Sequence, residues 1–170
     1  MSSNLVRDCR KYYARELEKI YGSDEANALI MILLEHYFGI DRVKIAMEPE
    51  LRLSESELLT LHFAVKELLT NKPIQYIIGE TEFCGMRFLV DENVLIPRPE
   101  TEEMVNMIVT DYRNSKQSNN TITSILDIGT GSGCIAISIA KLLKNSVVTA
   151  VDVSEKALEI AKKNAKANNC

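Results

Sequence analysis

The sequence predicts a two-part α+β chain: an amino-terminal helical bundle, a β-hairpin, and the opening half of a doubly wound parallel sheet. Three observations predict it. Apolar residues recur at three-and-four spacing through the first part of the chain, and two short β-prone runs meet at Gly85. Beyond Asn120 the pattern is strand, helix, strand, helix, with three glycines in five residues at the first strand-to-helix turn.

The elements follow in order. Leu5, Cys9, Tyr12, Tyr13, Leu17 and Ile20 mark the buried face of a first helix that stops at Gly22. A second starts after Ser23, runs through Leu29, Ile30, Leu33, Leu34 and Tyr37, and ends at Gly39. Asp41 caps a short third helix that ends before Pro49. Ser54 and Glu57 make a capping box for a fourth, with Leu53 placed to clasp Leu58, and this helix runs to about Thr70. Residues 1–72 therefore read as a small bundle. Residues 73–96 read as a hairpin linker, with Thr81 to Cys84 and Met86 to Val90 joined through Gly85. Residues 97–170 begin with a proline-started helix to about Tyr112, whose buried stripe is Met104, Val105, Ile108 and Tyr112. The polar stretch from Asn114 to Asn120 is a loop. After it come a short buried strand ending at Ile128, a helix from Ser132 to Leu143, a strand from Val147 to Val151, and a helix capped by Ser154.

Bulk properties narrow the function. With 20 basic against 24 acidic residues, the chain has no field that would hold a nucleic acid or an anionic membrane by charge alone. The four cysteines are scattered and form no C-x-x-C pair, which speaks against zinc and against a disulfide framework and suits a reducing, cytoplasmic setting. His36 and His62 sit singly on helices, with no partner at metal-ligand spacing, and no metal is expected. No apolar run approaches the length of a membrane span, and the amino terminus has no continuous apolar core of a signal peptide.

The candidate site is the run Asp127-Ile128-Gly129-Thr130-Gly131-Ser132-Gly133. Its glycines let the backbone turn without a Cβ in the way, and the following helix aims its N–H groups and positive dipole end at the turn. Asp152, at the end of the next strand, lies beside that turn in a parallel sheet, where a carboxylate can accept both hydroxyls of a ribose. The glycine spacing departs from the dinucleotide fingerprint, because the third glycine follows the second after two residues rather than three; Cys134 stands where that motif packs helix against strand. No phosphate-loop motif occurs either. What remains is a nucleoside carrying an amino acid in place of a phosphate.

These residues resemble the first motif of the class I S-adenosylmethionine-dependent methyltransferases, with Asp152 at their ribose-binding acid. Three further strings are narrower: Pro73-Ile74-Gln75-Tyr76-Ile77-Ile78-Gly79, Phe83-Cys84-Gly85-Met86-Arg87-Phe88, and Val94-Leu95-Ile96-Pro97-Arg98-Pro99-Glu100-Thr101-Glu102. In that order they resemble the HemK/PrmC glutamine methyltransferases of peptide-chain release factors, and the resemblance covers the whole chain. It implies a Rossmann-like methyltransferase domain over 97–170, of which the opening half is here, and S-adenosyl-L-methionine as cofactor. Gly129, Thr130, Gly131, Ser132 and Gly133 would wrap its methionine end, Asp152 would hold its ribose, and Asp127 would orient the turn. Arg98 to Glu102 would pass nearby, and the bundle would help dock the release factor. The family's Asn-Pro-Pro-Tyr tetrapeptide, which grips the substrate glutamine, does not occur in these 170 residues. The expectation is therefore of a chain cut short before the substrate half, with no catalytic residue of its own and no turnover alone. Two alternatives stand beside this reading: a methyltransferase acting on a nucleic-acid base, which the lack of a basic groove disfavours, and a non-catalytic binding module.

Overall fold

In a computed structural model, which describes residues 3–115 and 122–170, the amino-terminal periodicity becomes α1 (Val6–Tyr21), α2 (Ser23–Phe38), α3 (Arg42–Met47) and α4 (Glu55–Leu68). The ends obey local cap chemistry. Gly39 closes α2 in the left-handed conformation at φ 62°, and Asp41 Oδ1 accepts from Lys44 N–H at 2.7 Å. Ser54 and Glu57 form both halves of the capping box. Gly22, without a side-chain cap, rather than Ser23, precedes α2. Replacing Ser54 with alanine should lower stability by about 1 kcal/mol; an unchanged urea midpoint would show that the cap contributes nothing.

Leu17, Ile30, Leu33, Leu34, Leu61 and Leu68 are fully buried and join α1, α2 and α4 around one core. Two residues expected on the buried face of α1 turn out half-exposed, Tyr12 at 44% and Ile20 at 43%, because Tyr13, Ala14 and Leu17 set the phase of the stripe. A one-turn helix, α5 (Ile74–Ile78), was not foreseen. Pro73 O starts it by accepting from Tyr76 N–H and Ile77 N–H, and the Tyr37 hydroxyl donates to Ile77 O at 3.0 Å.

Contacts divide the chain after Ile78, and the hairpin belongs to the second unit, Gly79–Cys170. Strands β1 (Glu80–Phe83) and β2 (Met86–Leu89) pair antiparallel across Cys84 and Gly85, whose φ values of 50° and 69° are both positive, as a tight hairpin turn of matching twist requires. Phe83 and Phe88 are fully buried, edge to face, with ring centroids 6.0 Å apart. They share a core with Val105 and Val109 of α6 (Pro99–Ser115) and Ile137 and Ile139 of α7 (Cys134–Leu142). The buried stripe of α6 is thus Val105 and Val109. Met104 and Ile108, expected to be inside, are 42% and 38% exposed. Asn114 and Ser115 extend α6, and the rest of the predicted loop lies outside the described residues.

Strands β3 (Thr123–Ile128) and β4 (Ser146–Val151) run parallel with α7 between them, and α8 (Glu155–Ala167) follows with the Ser154 hydroxyl accepting from Ala157 N–H. The sheet is buried on one side only. Ile125 and Val148 are partly buried and pack into the core, whereas Leu126, Ile128 and Val147 on the opposite face are 59%, 77% and 56% exposed. Two strands with helices on one side can cover only one face. The described residues form a helix-rich α+β arrangement with two two-stranded sheets, and none of their helices is long and apolar enough to cross a membrane.

Candidate cofactor site

Parallel register decides where the site forms. Ile128 pairs with Val151, so the residues that leave the two strands, Gly129 and Asp152, emerge side by side. Val151 O accepts from Gly129 N–H at 2.8 Å and from Thr130 N–H at 3.0 Å, tying the turn to the end of β4. Gly131 N–H then donates to Asp152 Oδ2 at 2.8 Å. The turn and the acid, singled out separately in the sequence, are joined by a direct hydrogen bond.

Asp152 is more engaged than its sequence position suggests. Its Oδ1 accepts from Ser154 N–H at 2.9 Å, so each carboxylate oxygen already binds one backbone N–H. Each oxygen keeps a second lone pair, enough for two hydroxyls of a ribose. The N–H of Ser154 first, then that of Gly131, hold the carboxyl below its ordinary pKa and keep it ionised. The start of α8 is capped by Ser154 and not by Asp152.

The remaining residues of the turn divide by what surrounds them. Asp127 Oδ2 accepts from the Thr130 hydroxyl at 2.7 Å, which fixes the buried Thr130 under the turn. Gly129 and Gly131 have φ of 79° and 55°, and a Cβ added at either would meet nothing within 4 Å, so space is open beside the main chain there. Gly133, at φ 80°, is different: a Cβ there would lie 3.0 Å from Ile137 Cδ1 and 3.2 Å from Ala161 Cβ. The close packing assigned in dinucleotide folds to the position of Cys134 is made here by Gly133, helix against helix. Ser132 is 2% exposed, and its hydroxyl lies beside the Cys134 thiol. Burial raises the Cys134 thiol pKa, offset in part by that hydroxyl.

Open space over two glycines, the first-turn N–H groups expected of α7, and an ionised acid with spare lone pairs suit a ligand with a carboxylate at one end and vicinal hydroxyls at the other. Arg98 precedes α6, and Pro99 to Glu102 form its first turn. No cluster of histidine, cysteine or acidic side chains suited to a metal occurs among the described residues. Sequence reasoning missed Asn164, which is fully buried on α8 and donates to Ser132 O at 2.8 Å. The available signal was its spacing: Ala157, Ile160 and Asn164 fall at three-and-four intervals, so one position of an otherwise apolar stripe is an amide.

Comparison with known proteins finds matches along both units. Residues 8–79 match the PrmC N-terminal domain, and residues 104–170 match the family described as ribosomal protein L11 methyltransferase (PrmA). A release factor glutamine methyltransferase of Flavobacterium psychrophilum is 46% identical over 164 residues, 96% of this chain and 57% of that protein. Proteins of the same description from Bacteroides thetaiotaomicron and Streptococcus pneumoniae are 44% and 42% identical over 90% and 91% of this chain, and 52% and 53% of their own lengths. The chain thus spans a little over half the length of these curated relatives. By these matches, which run through both units, the chain is a relative of the HemK/PrmC-type release factor glutamine methyltransferases over nearly all of its length.

Proposed function

We propose that this chain contributes the cofactor-binding part of a methyltransferase that uses S-adenosyl-L-methionine to modify the side-chain amide nitrogen of a glutamine, in the Gly-Gly-Gln segment of a peptide-chain release factor. The observation that carries the reading is the 2.8 Å hydrogen bond between Gly131 N–H and Asp152, which sets an anion-accepting turn and a hydroxyl-accepting acid on adjacent strand ends. The names of the relatives supply the reaction and its substrate. In this reading β3, α7, β4 and α8 are the first half of a Rossmann-like domain over 97–170, and residues 1–72 help dock the release factor. Four free cysteines suit a cytoplasmic location.

The cofactor, when bound, supplies a methyl group on a positively charged sulfur. The chain's own residues bind and orient. Gly129, Thr130, Gly131, Ser132 and Gly133 hold the methionine end through main-chain groups, and Asp152 accepts from the ribose. The amide nitrogen of glutamine is a weak nucleophile because its lone pair is delocalised into the carbonyl, so accurate placement of the methyl donor matters more than acid–base chemistry.

Isothermal titration of the 170-residue chain with S-adenosylhomocysteine should give saturable binding at one site, and NAD should give none. Heat with NAD but not with S-adenosylhomocysteine would overturn the reading.

A further inference from the structure

Strand β2 has one edge that β1 does not pair, and α8 covers it with two asparagines. Asn164 accepts from Leu89 N–H at 2.7 Å through Oδ1 and donates through Nδ2 to Leu89 O at 3.0 Å. One helical turn on, Asn168 donates to Arg87 O at 3.0 Å. The spacings agree: four residues of helix rise about 6.0 Å, and two residues of strand advance about 6.8 Å. The amides therefore stand in for the backbone of a third strand.

Asn164 does one thing that Asn168 does not. Its second N–H goes to Ser132 O at 2.8 Å, inside the glycine turn, and Ser132 is 2% exposed. Three residues of that turn, Gly129, Gly131 and Gly133, have positive φ, so the chain there has little conformational preference of its own. A fixed carbonyl at Ser132 fixes the Ser132–Gly133 peptide plane and so constrains the segments on either side of it. One of these leads back to Gly131, whose N–H binds Asp152, and the other leads on to Gly133 and α7.

We propose that Asn164 is a positioning residue for the cofactor turn: by holding Ser132 O and both backbone groups of Leu89 with one amide, it makes the shape of the turn depend on the seating of the hairpin. The proposal rests on the S-adenosylmethionine reading for its ligand but not for its geometry. Only an amide serves at this position. An aspartate would keep the acceptor for Leu89 N–H yet turn an oxygen toward two carbonyl oxygens, while alanine would leave the buried Ser132 O and the partly buried N–H and C=O of Leu89 without this partner.

The test compares Asn164→Asp with Asn168→Ala in the 170-residue chain. Asn168→Ala also loosens the seam between α8 and β2 but does not touch the turn. Asn164→Asp should weaken S-adenosylhomocysteine binding at least about tenfold, the consequence of a buried carbonyl losing its donor. In the ligand-free protein it should also speed hydrogen exchange at the Gly131 and Gly133 amides by a similar factor. Asn168→Ala should leave affinity and those two amides close to the unsubstituted chain, with faster exchange confined to the hairpin. Equal effects of the two substitutions on the turn amides would overturn the proposal. If the unsubstituted chain fails to bind S-adenosylhomocysteine, the cofactor reading falls and the exchange rates alone decide the positioning role. If Asn164→Asp does not fold, Asn164→Ser, smaller and uncharged, takes its place in the same comparison.

Discussion

Replacing Asp152 with alanine is expected to reduce S-adenosylhomocysteine affinity by about a hundredfold or more, because charge-assisted hydrogen bonds to two hydroxyls are lost together. The turn also loses the acceptor for Gly131 N–H at 2.8 Å, and Ser154 N–H loses its partner at 2.9 Å. Asp152→Asn separates the two contributions: the amide keeps one acceptor oxygen but sets an NH2 group against one of the two backbone donors. Its affinity should fall between those of the alanine variant and the unsubstituted chain. Acid gives a second readout with a definite sign. Asp152 has a folded-state pKa below its ordinary 3.8, chiefly through Ser154 N–H, then Gly131 N–H. Its contribution to stability is therefore fully present above that ordinary value and is lost as pH falls through the lower folded value. Affinity should then show no dependence on this group from neutrality down to about pH 5 and should drop only below about pH 4, a drop that the alanine variant lacks. Calorimetry across that range checks both statements. An alanine variant that binds within about threefold of the unsubstituted chain would remove Asp152 from the site.

What the sequence disclosed and what it hid follow from the range of the interactions involved. Gly39, Asp41, the pair Ser54 and Glu57, and Ser154 each act within four residues, so their roles could be read locally and the helix ends fell within a residue or two of expectation. The hairpin turn at Gly85 is equally local. The juxtaposition of Gly131 with Asp152 spans 21 residues, yet it was legible because strand, helix and parallel strand leave little choice of register. Elements set by distant partners were not legible. The stripe of α6 runs through Val109 because Phe83 and Phe88, from a hairpin earlier in the chain, define which side is inward. The run from Ile125 to Ile128 reads as a short buried strand in one dimension, but only Ile125 and Asp127 point toward the helices. Asn164 is the clearest case. On an amphipathic helix an asparagine reads as surface, and only a strand 75 residues away shows that its amide is satisfied inside.

The glycines of the turn, alike in sequence, should separate sharply when each is changed to alanine. At Gly131, φ is 55° and nothing lies within 4 Å of an added Cβ, so the penalty is the left-handed backbone alone, roughly 1–2 kcal/mol. At Gly133 the same backbone penalty applies at φ 80°, and the methyl also meets three atoms: Ile137 Cδ1 at 3.0 Å, Ala161 Cβ at 3.2 Å and Ala161 Cα at 3.4 Å. The isoleucine can swing aside. Ala161 belongs to α8, so relief there requires the helix to move, and overpacking of this kind adds roughly 1–3 kcal/mol. That movement would pull Asn164, one turn further along α8, away from Ser132 O and Leu89. Gly133→Ala should therefore destabilise the second unit by roughly 2–5 kcal/mol, read as the loss of urea midpoint relative to the unsubstituted chain. Gly131→Ala should act mainly on S-adenosylhomocysteine affinity, because its added methyl enters the open space beside the main chain. If the two substitutions lower the midpoint equally, the separation of this turn into a packing glycine and a ligand-facing glycine is wrong, and both positions are held by backbone conformation alone.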